Sequence, residues 1–185
     1  MKRYLAPSLA LAVVSMGAFL LAAEIESGLE VGDDVAAFNV KDITGPAKGT
    51  SLCYRCRYGS RPVVGIFTRG TKEPVANLVK QVDDVVGKND EKKMAAFVVL
   101  LTEDSDAAAP QLEKLAKDKE ISKTPLTVFD GVAGPPEYKI GEKAEVTVMM
   151  WVEGKVKVNQ AFAKAEDLNA EKIKELVANT GEILK

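Results

Sequence analysis

Two uninterrupted apolar runs constrain this 185-residue chain most, Val63-Val-Gly-Ile-Phe-Thr68 and Met94-Ala-Ala-Phe-Val-Val-Leu-Leu101. Neither alternates polar with apolar residues, so each reads as a strand buried on both faces, as in a parallel sheet. A stretch of helical period follows each run. From Glu73 to Val86, the residues Val75, Leu78, Val79, Val82, Val85 and Val86 share one face, and Pro74 suits a first turn. From Pro110 to Ile121, Leu112, Leu115 and Ala116 point inward, with Thr102 to Asp106 supplying capping residues and carboxylates. Strand, helix, strand, helix in this order predicts an α/β fold with parallel β-α-β units.

The rest of the chain adds an antiparallel part. Val35 to Val40 is a short strand candidate, and Lys41 to Pro46 is a turn. Pro125 to Phe129 is a short extended run, Gly131 to Pro136 a turn, and Glu137 to Ile140 one helical turn. Val146 to Val152 and Lys155 to Val158 flank Glu153-Gly154, a two-residue turn that predicts a hairpin. Ala165 to Leu184 is a closing helix, capped by Asp167 or Asn169. The expectation is a mixed central sheet with helices on both faces.

The chemistry concentrates in Leu52-Cys53-Tyr54-Arg55-Cys56-Arg57-Tyr58, which holds both cysteines of the chain on a loop or a single turn. Cysteines three apart can bond, because a disulfide needs Cα atoms about 4.4–6.8 Å apart. Arg55, Arg57 and Arg61 would favour a thiolate there. Three readings stand: a redox pair, a structural disulfide pinning the loop, and half of a metal site. Two thiolates are only half of a tetrahedral zinc shell. The chain has no histidine and no third cysteine to complete one, so neither metal nor cofactor is expected. The missing histidine also excludes Ser-His and Cys-His catalysis, and Arg57 after Cys56 excludes a haem-attachment motif. A net charge of −2 argues against nucleic acid as a partner.

Residues 1–23 read as a targeting segment. Met1-Lys2-Arg3 is a positive start, and no charge interrupts Tyr4 to Ala23. Leu21, two residues before Ala23, makes the cleavage signal imperfect, so residues 4–23 also suit an uncleaved membrane anchor. Either way the domain is expected outside the cytoplasm, periplasmic or extracellular, where a disulfide persists. Residues 24–34, acidic and glycine-containing, read as a linker, which leaves 35–185 as the domain.

The chain resembles the thioredoxin superfamily, and within it the redoxin branch of peroxiredoxins and exported thiol reductases. Phe38 to Gly45 is similar to the branch's opening F-x-L-x-D-x-x-G. Gly59 to Phe67 is similar to its G-K-x-V-V-L-x-F approach to the first central strand, and Met149 to Val156 to its hairpin. The likeness spans roughly residues 30–184. It implies a thioredoxin-like fold and exchange with a protein or small-molecule thiol or disulfide, with Cys53 as the attacking member by analogy. Two departures matter. The family's reactive cysteine follows the first central strand, where this chain has Thr68-Arg69-Gly70-Thr71-Lys72, so peroxidase activity is not expected. Thr71 stands at the reactive position or simply caps the helix. The family's proline before the hairpin strand is absent as well, replaced by Glu145-Val146-Thr147. By the same analogy, Arg69, Thr71 and Lys72 are expected beside the cysteine pair. The alternative function is a non-catalytic binding or scaffold domain with a fixed disulfide.

Overall fold

The structure, a computed structural model, describes residues 25–185. The proposed targeting segment lies outside these residues. Among the described residues, no helix is long and apolar enough to cross a membrane.

Both apolar runs are central strands. β3 (Val63–Thr68) pairs in parallel with β4 (Ala95–Thr102). β4 pairs in parallel with β5 (Leu126–Asp130), the short run after Pro125. β6 (Val146–Val152) and β7 (Lys155–Phe162) form the hairpin, and β6 lies antiparallel on β3. Glu153 and Gly154 both have positive φ, +56° and +76°, as a tight two-residue hairpin requires. On the other side, β1 (Val40–Asp42) extends the sheet antiparallel to β5, and the two-residue β2 (Ser51–Leu52) pairs antiparallel with β1 at the edge. The full order is β2-β1-β5-β4-β3-β6-β7.

Every residue of β3 is buried, and its side chains divide between two cores. Val64 and Ile66 face the three long helices: α2 (Glu73–Lys88), α3 (Ser105–Asp118) and α4 (Ala170–Asn179). β3-α2-β4 and β4-α3-β5 step the same way across the sheet, so two right-handed crossovers put both helices on one face. Val63 and Phe67 face the opposite core with Phe97, Tyr138 and Trp151. Gly65 faces Trp151, where a Cβ would come within 2.7 Å of the indole ring. This second face is covered by a short helix α1 (Tyr54–Tyr58), a 3₁₀ turn at Pro136–Tyr138 and the N-terminal stretch.

Four expectations shift. α3 starts at Ser105, five residues before Pro110, because the Asp104 side chain accepts the Ala107 N–H and caps the helix there. The first strand is Val40–Asp42, not Val35–Val40; the Val35 N–H donates to the Gly154 carbonyl beside a single bridge at Asp34, with no ladder continuing from it among the described residues. β7 runs past Val158 to Phe162, since its backbone stays paired with β6 through the polar Asn159 and Gln160. The closing helix is broken into a 3₁₀ turn at Ala165–Asp167, then α4, then a 3₁₀ turn at Thr180–Glu182, with Asn169 capping α4.

Residues 25–34, expected as a linker, pack against the fold. Leu29 is buried, and the Ser27 hydroxyl bonds that of Thr147 at 2.6 Å and accepts the Gly141 N–H. The folded unit therefore begins before Val35.

Candidate functional site

The site is built outward from Asp42, at the end of β1. Its side chain is fully buried yet accepts three hydrogen bonds: from the Gly45 N–H at 2.7 Å, the Ala47 N–H at 2.8 Å and the Tyr54 hydroxyl at 2.8 Å. A buried carboxylate is tolerable only when its oxygens are satisfied in this way. Glycine is required at 45, because a Cβ would come within 2.2 Å of the Tyr54 hydroxyl. Asp42 thus folds the loop after β1 back on itself and fixes the residue that follows Cys53.

α1 is only five residues long, too short to hold itself together. Tertiary anchors hold it instead. Tyr54 and Tyr58, one turn apart, both face inward. Tyr54 stacks on Phe97 at a centroid distance of 5.5 Å, and the Tyr58 hydroxyl donates to the Ala96 carbonyl at 3.3 Å. Arg55 reaches sideways and donates from Nε to the Val35 carbonyl at 3.0 Å. Gly59, at φ +60°, closes the helix by donating to the Arg55 carbonyl. Burial raises the pKa of both tyrosines, Tyr54 further through its hydrogen bond to Asp42, so both are neutral phenols. The charge of Arg57 opposes this shift at both rings, which places its field over this part of the surface.

With 54, 55 and 58 committed, the remaining face of α1 presents Cys56 and Arg57 to solvent. Cys53 and Cys56 form a disulfide, with S–S 2.08 Å and Cα atoms 5.2 Å apart. Cys53 occupies the N-cap, where its Sγ accepts the Cys56 N–H at 3.0 Å. Cys56 is exposed and Cys53 half-buried. Cleavage would leave a Cys53 thiolate already facing a backbone donor, an arrangement that lowers a thiol pKa. Among the described residues, no cluster of three or more potential metal ligands occurs.

Arg55, Arg57 and Arg61 stay near the pair on α1 and the turn after it, whereas the fold takes Thr71 elsewhere. α1 leads into the start of β3; Thr71 follows its other end, six residues further on. The segment there has its own partners. Arg69 donates to the carbonyls of Gly141 and Val132 at 3.2 and 3.0 Å, and also to that of Ala144. Lys72 holds the N-cap position of α2 and bridges Glu145 and Glu166. Thr71 does not cap the helix. The expected adjacency of Arg69, Thr71 and Lys72 to the cysteines fails because a whole strand separates them. Asp42 went unrecognised as a site residue, although the D-x-x-G spacing of Asp42 and Gly45 is the signature of this side-chain turn.

No protein-family model matches the chain, and no curated protein matches it. Solved structures do. A proposed protein disulfide isomerase from Bacteroides thetaiotaomicron aligns over 86% of this chain and 94% of its own, with a TM-score of 0.65 and 16% identity. A proposed thiol:disulfide interchange protein, DsbE, from Chlorobium tepidum covers 83% of this chain and 99% of its own, with a TM-score of 0.59 and 17% identity. The peroxidoxin BcpB of Mycobacterium tuberculosis gives 82%, 97%, 0.57 and 18%. The chain has a thioredoxin-like fold. Likeness at this level of identity speaks for the scaffold, and the chemistry rests on the thioredoxin-like domain's own cysteines.

Proposed function

We propose that this protein is an exported thiol–disulfide oxidoreductase working through Cys53 and Cys56. The observation that carries the reading is a disulfide with one exposed member, Cys56, whose other sulfur, on Cys53, already accepts a backbone N–H. An incoming thiolate attacks Sγ of Cys56, the exposed residue of the pair. The S–S bond breaks and its electron pair leaves on Cys53, stabilised by the Cys56 N–H. A second substrate thiolate then attacks the substrate sulfur of the mixed disulfide and releases Cys56. The substrate pair is oxidised by two electrons to a disulfide, the protein pair is reduced, and the thiol protons pass through solvent. In reverse, reduced Cys56 attacks a substrate disulfide and Cys53 resolves the adduct. Exposure thus favours Cys56, not Cys53, as the sulfur that meets substrate.

The rival reading, a structural clasp, has less support. Tyr54, Arg55 and Tyr58 anchor α1 without help from the sulfurs. A bridge between residues three apart closes a very short loop, which restricts the unfolded chain least. Export is supported by the charged start and the apolar 4–23 segment, and by a disulfide that an oxidising compartment maintains. The same segment would serve as a membrane tether if retained.

Redox titration of the full chain tests the exchange. An exchange-competent pair equilibrates above about −300 mV, and Cys53→Ser accumulates a mixed disulfide on Cys56. A potential below that value, with no adduct trapped on Cys56, refutes the proposal.

A further inference from the structure

The charge of the stretch of sequence that carries the cysteine pair differs from that of the rest of the chain. The chain carries a net charge of −2, yet residues 43–72 contain no aspartate or glutamate and six basic residues. Four of the five arginines of the whole chain, Arg55, Arg57, Arg61 and Arg69, lie in this stretch, while the remaining basic residues are almost all lysine. Arginine is the residue suited to holding carboxylate, sulfonate or phosphate through a planar fork of donors.

Two of these arginines have structural work. Arg55 holds the Val35 carbonyl, and Arg69 holds three carbonyls at the far end of β3. Arg57 and Arg61 are different. Both are exposed, and neither side chain has a hydrogen bond or an ion pair among the described residues. The carboxylates nearby in the fold do not neutralise them. Asp42 is buried under Tyr54, and Glu153, whose N–H donates to the Ser60 carbonyl, is exposed and pairs with no arginine. Cys56, an exposed residue, therefore sits in sequence between two unneutralised guanidinium side chains and its partner cysteine. Neither the cleft lined by Lys41 and Asp130 nor the smaller one beside Arg69 and Thr102 includes either cysteine, and Cys56 is exposed. Selection at such an open site acts through charge and not through shape.

Resting on the exchange reading above, we propose that Cys56 takes its substrate from anionic thiols, those carrying a carboxylate or sulfonate near the sulfur, with Arg57 and Arg61 as the groups that hold that charge. Substrate thiolate attacks Cys56 Sγ with its acid group against the two guanidiniums, and the bond to Cys53 breaks as described. The protein disulfide is itself the oxidant of this step, so a single turnover needs no other co-reactant.

The test uses the full chain and three small thiols: 2-mercaptoethanesulfonate, which attacks as a dianion; 2-mercaptoethanol, as a monoanion; and cysteamine, as a zwitterion. Reduction of the protein disulfide is followed at low ionic strength, and rates are expressed per thiolate. At separations of about 6–10 Å in water, each arginine changes the local concentration of a unit charge by roughly two- to threefold. The expected order is dianion, monoanion, zwitterion, about fivefold apart at each step, with the spread collapsing as salt screens it. Arg57→Glu with Arg61→Glu should reverse the order. If all three thiols react at one salt-independent rate, anion selection is wrong while exchange survives. If none reduces the pair, both proposals fall.

Discussion

Tyr54 carries a phenol into the core one residue after Cys53, and its hydroxyl meets a buried carboxylate. Tyr54→Phe leaves Asp42 Oδ2 with one donor fewer in a site closed to water. A hydrogen bond to a charged acceptor is worth about 2 kcal/mol, and urea denaturation should show a loss of that size. The buried phenols also set an alkaline limit. Tyr54, Tyr58 and Tyr138 all have pKa values raised above 10.0, chiefly by burial. Above about pH 10 the unfolded chain releases phenolic protons that the folded chain keeps. The unfolded state then binds fewer protons, so stability is intact below pH 10 and falls as pH rises towards the folded-state values. Each tyrosine contributes a slope of up to about 1.4 kcal/mol per pH unit. Ultraviolet absorbance should show these three phenolates appearing together with unfolding; ionisation near pH 10 of more than the one remaining tyrosine, Tyr4, in the still-folded protein would contradict the packing. At this scale the sequence disclosed the cysteines and arginines but not the lock beneath them. Nothing local to Asp42 tells that it meets Tyr54, twelve residues on.

Among the elements, α3 shows how a local rule misleads. Proline favours the first helical turn, which makes Pro110 an attractive start. The helix nevertheless begins at Ser105, and Pro110 sits inside it. Its missing N–H deprives only the carbonyl of Asp106, an exposed residue in the first turn, where water can replace the bond. Pro110→Ala should therefore stabilise the protein by less than about 2 kcal/mol: the roughly 3 that an interior proline costs is reduced where water replaces the lost bond, and the freer unfolded chain takes back up to about 1. Asp104→Ala should act oppositely, costing about 1 kcal/mol through the lost cap on Ala107. Thermal unfolding of both variants checks the boundary, since a helix starting at Pro110 would leave Asp104→Ala silent. β3, β4, α2 and the hairpin were legible because their patterns are long and unbroken. β1 and α1 were not, since three- and five-residue elements are set by tertiary partners and not by periodicity.

For the whole molecule, the sheet divides two cores of different character. The face under α2, α3 and α4 is aliphatic and was visible in the helical periods. The other gathers Phe67, Phe97, Tyr138 and Trp151 with Leu29 and Val35, and among the described residues no long helix covers it. Its cover includes the stretch that composition marked as a linker, because acidic residues at turns hide one buried apolar side chain, Leu29, among them. The strap is fastened at several points. Ser27 meets Thr147 and Gly141, the Gly28 N–H donates to Lys139, and Asn159 Nδ2 donates to the Ser27 carbonyl. The strap continues into Val35, whose carbonyl receives Arg55 from α1, so the cover of this core and the seat of the cysteine helix are one continuous piece of chain. Leu29→Ala should then cost about 2–4 kcal/mol, as expected for a large-to-small change at a position 4% exposed. Amide exchange should show loss of protection spreading from residues 27–35 to α1 before the β3–β4 centre opens. If residues 25–34 were a passive tether, Leu29→Ala would leave both stability and the protection of α1 at their wild-type values.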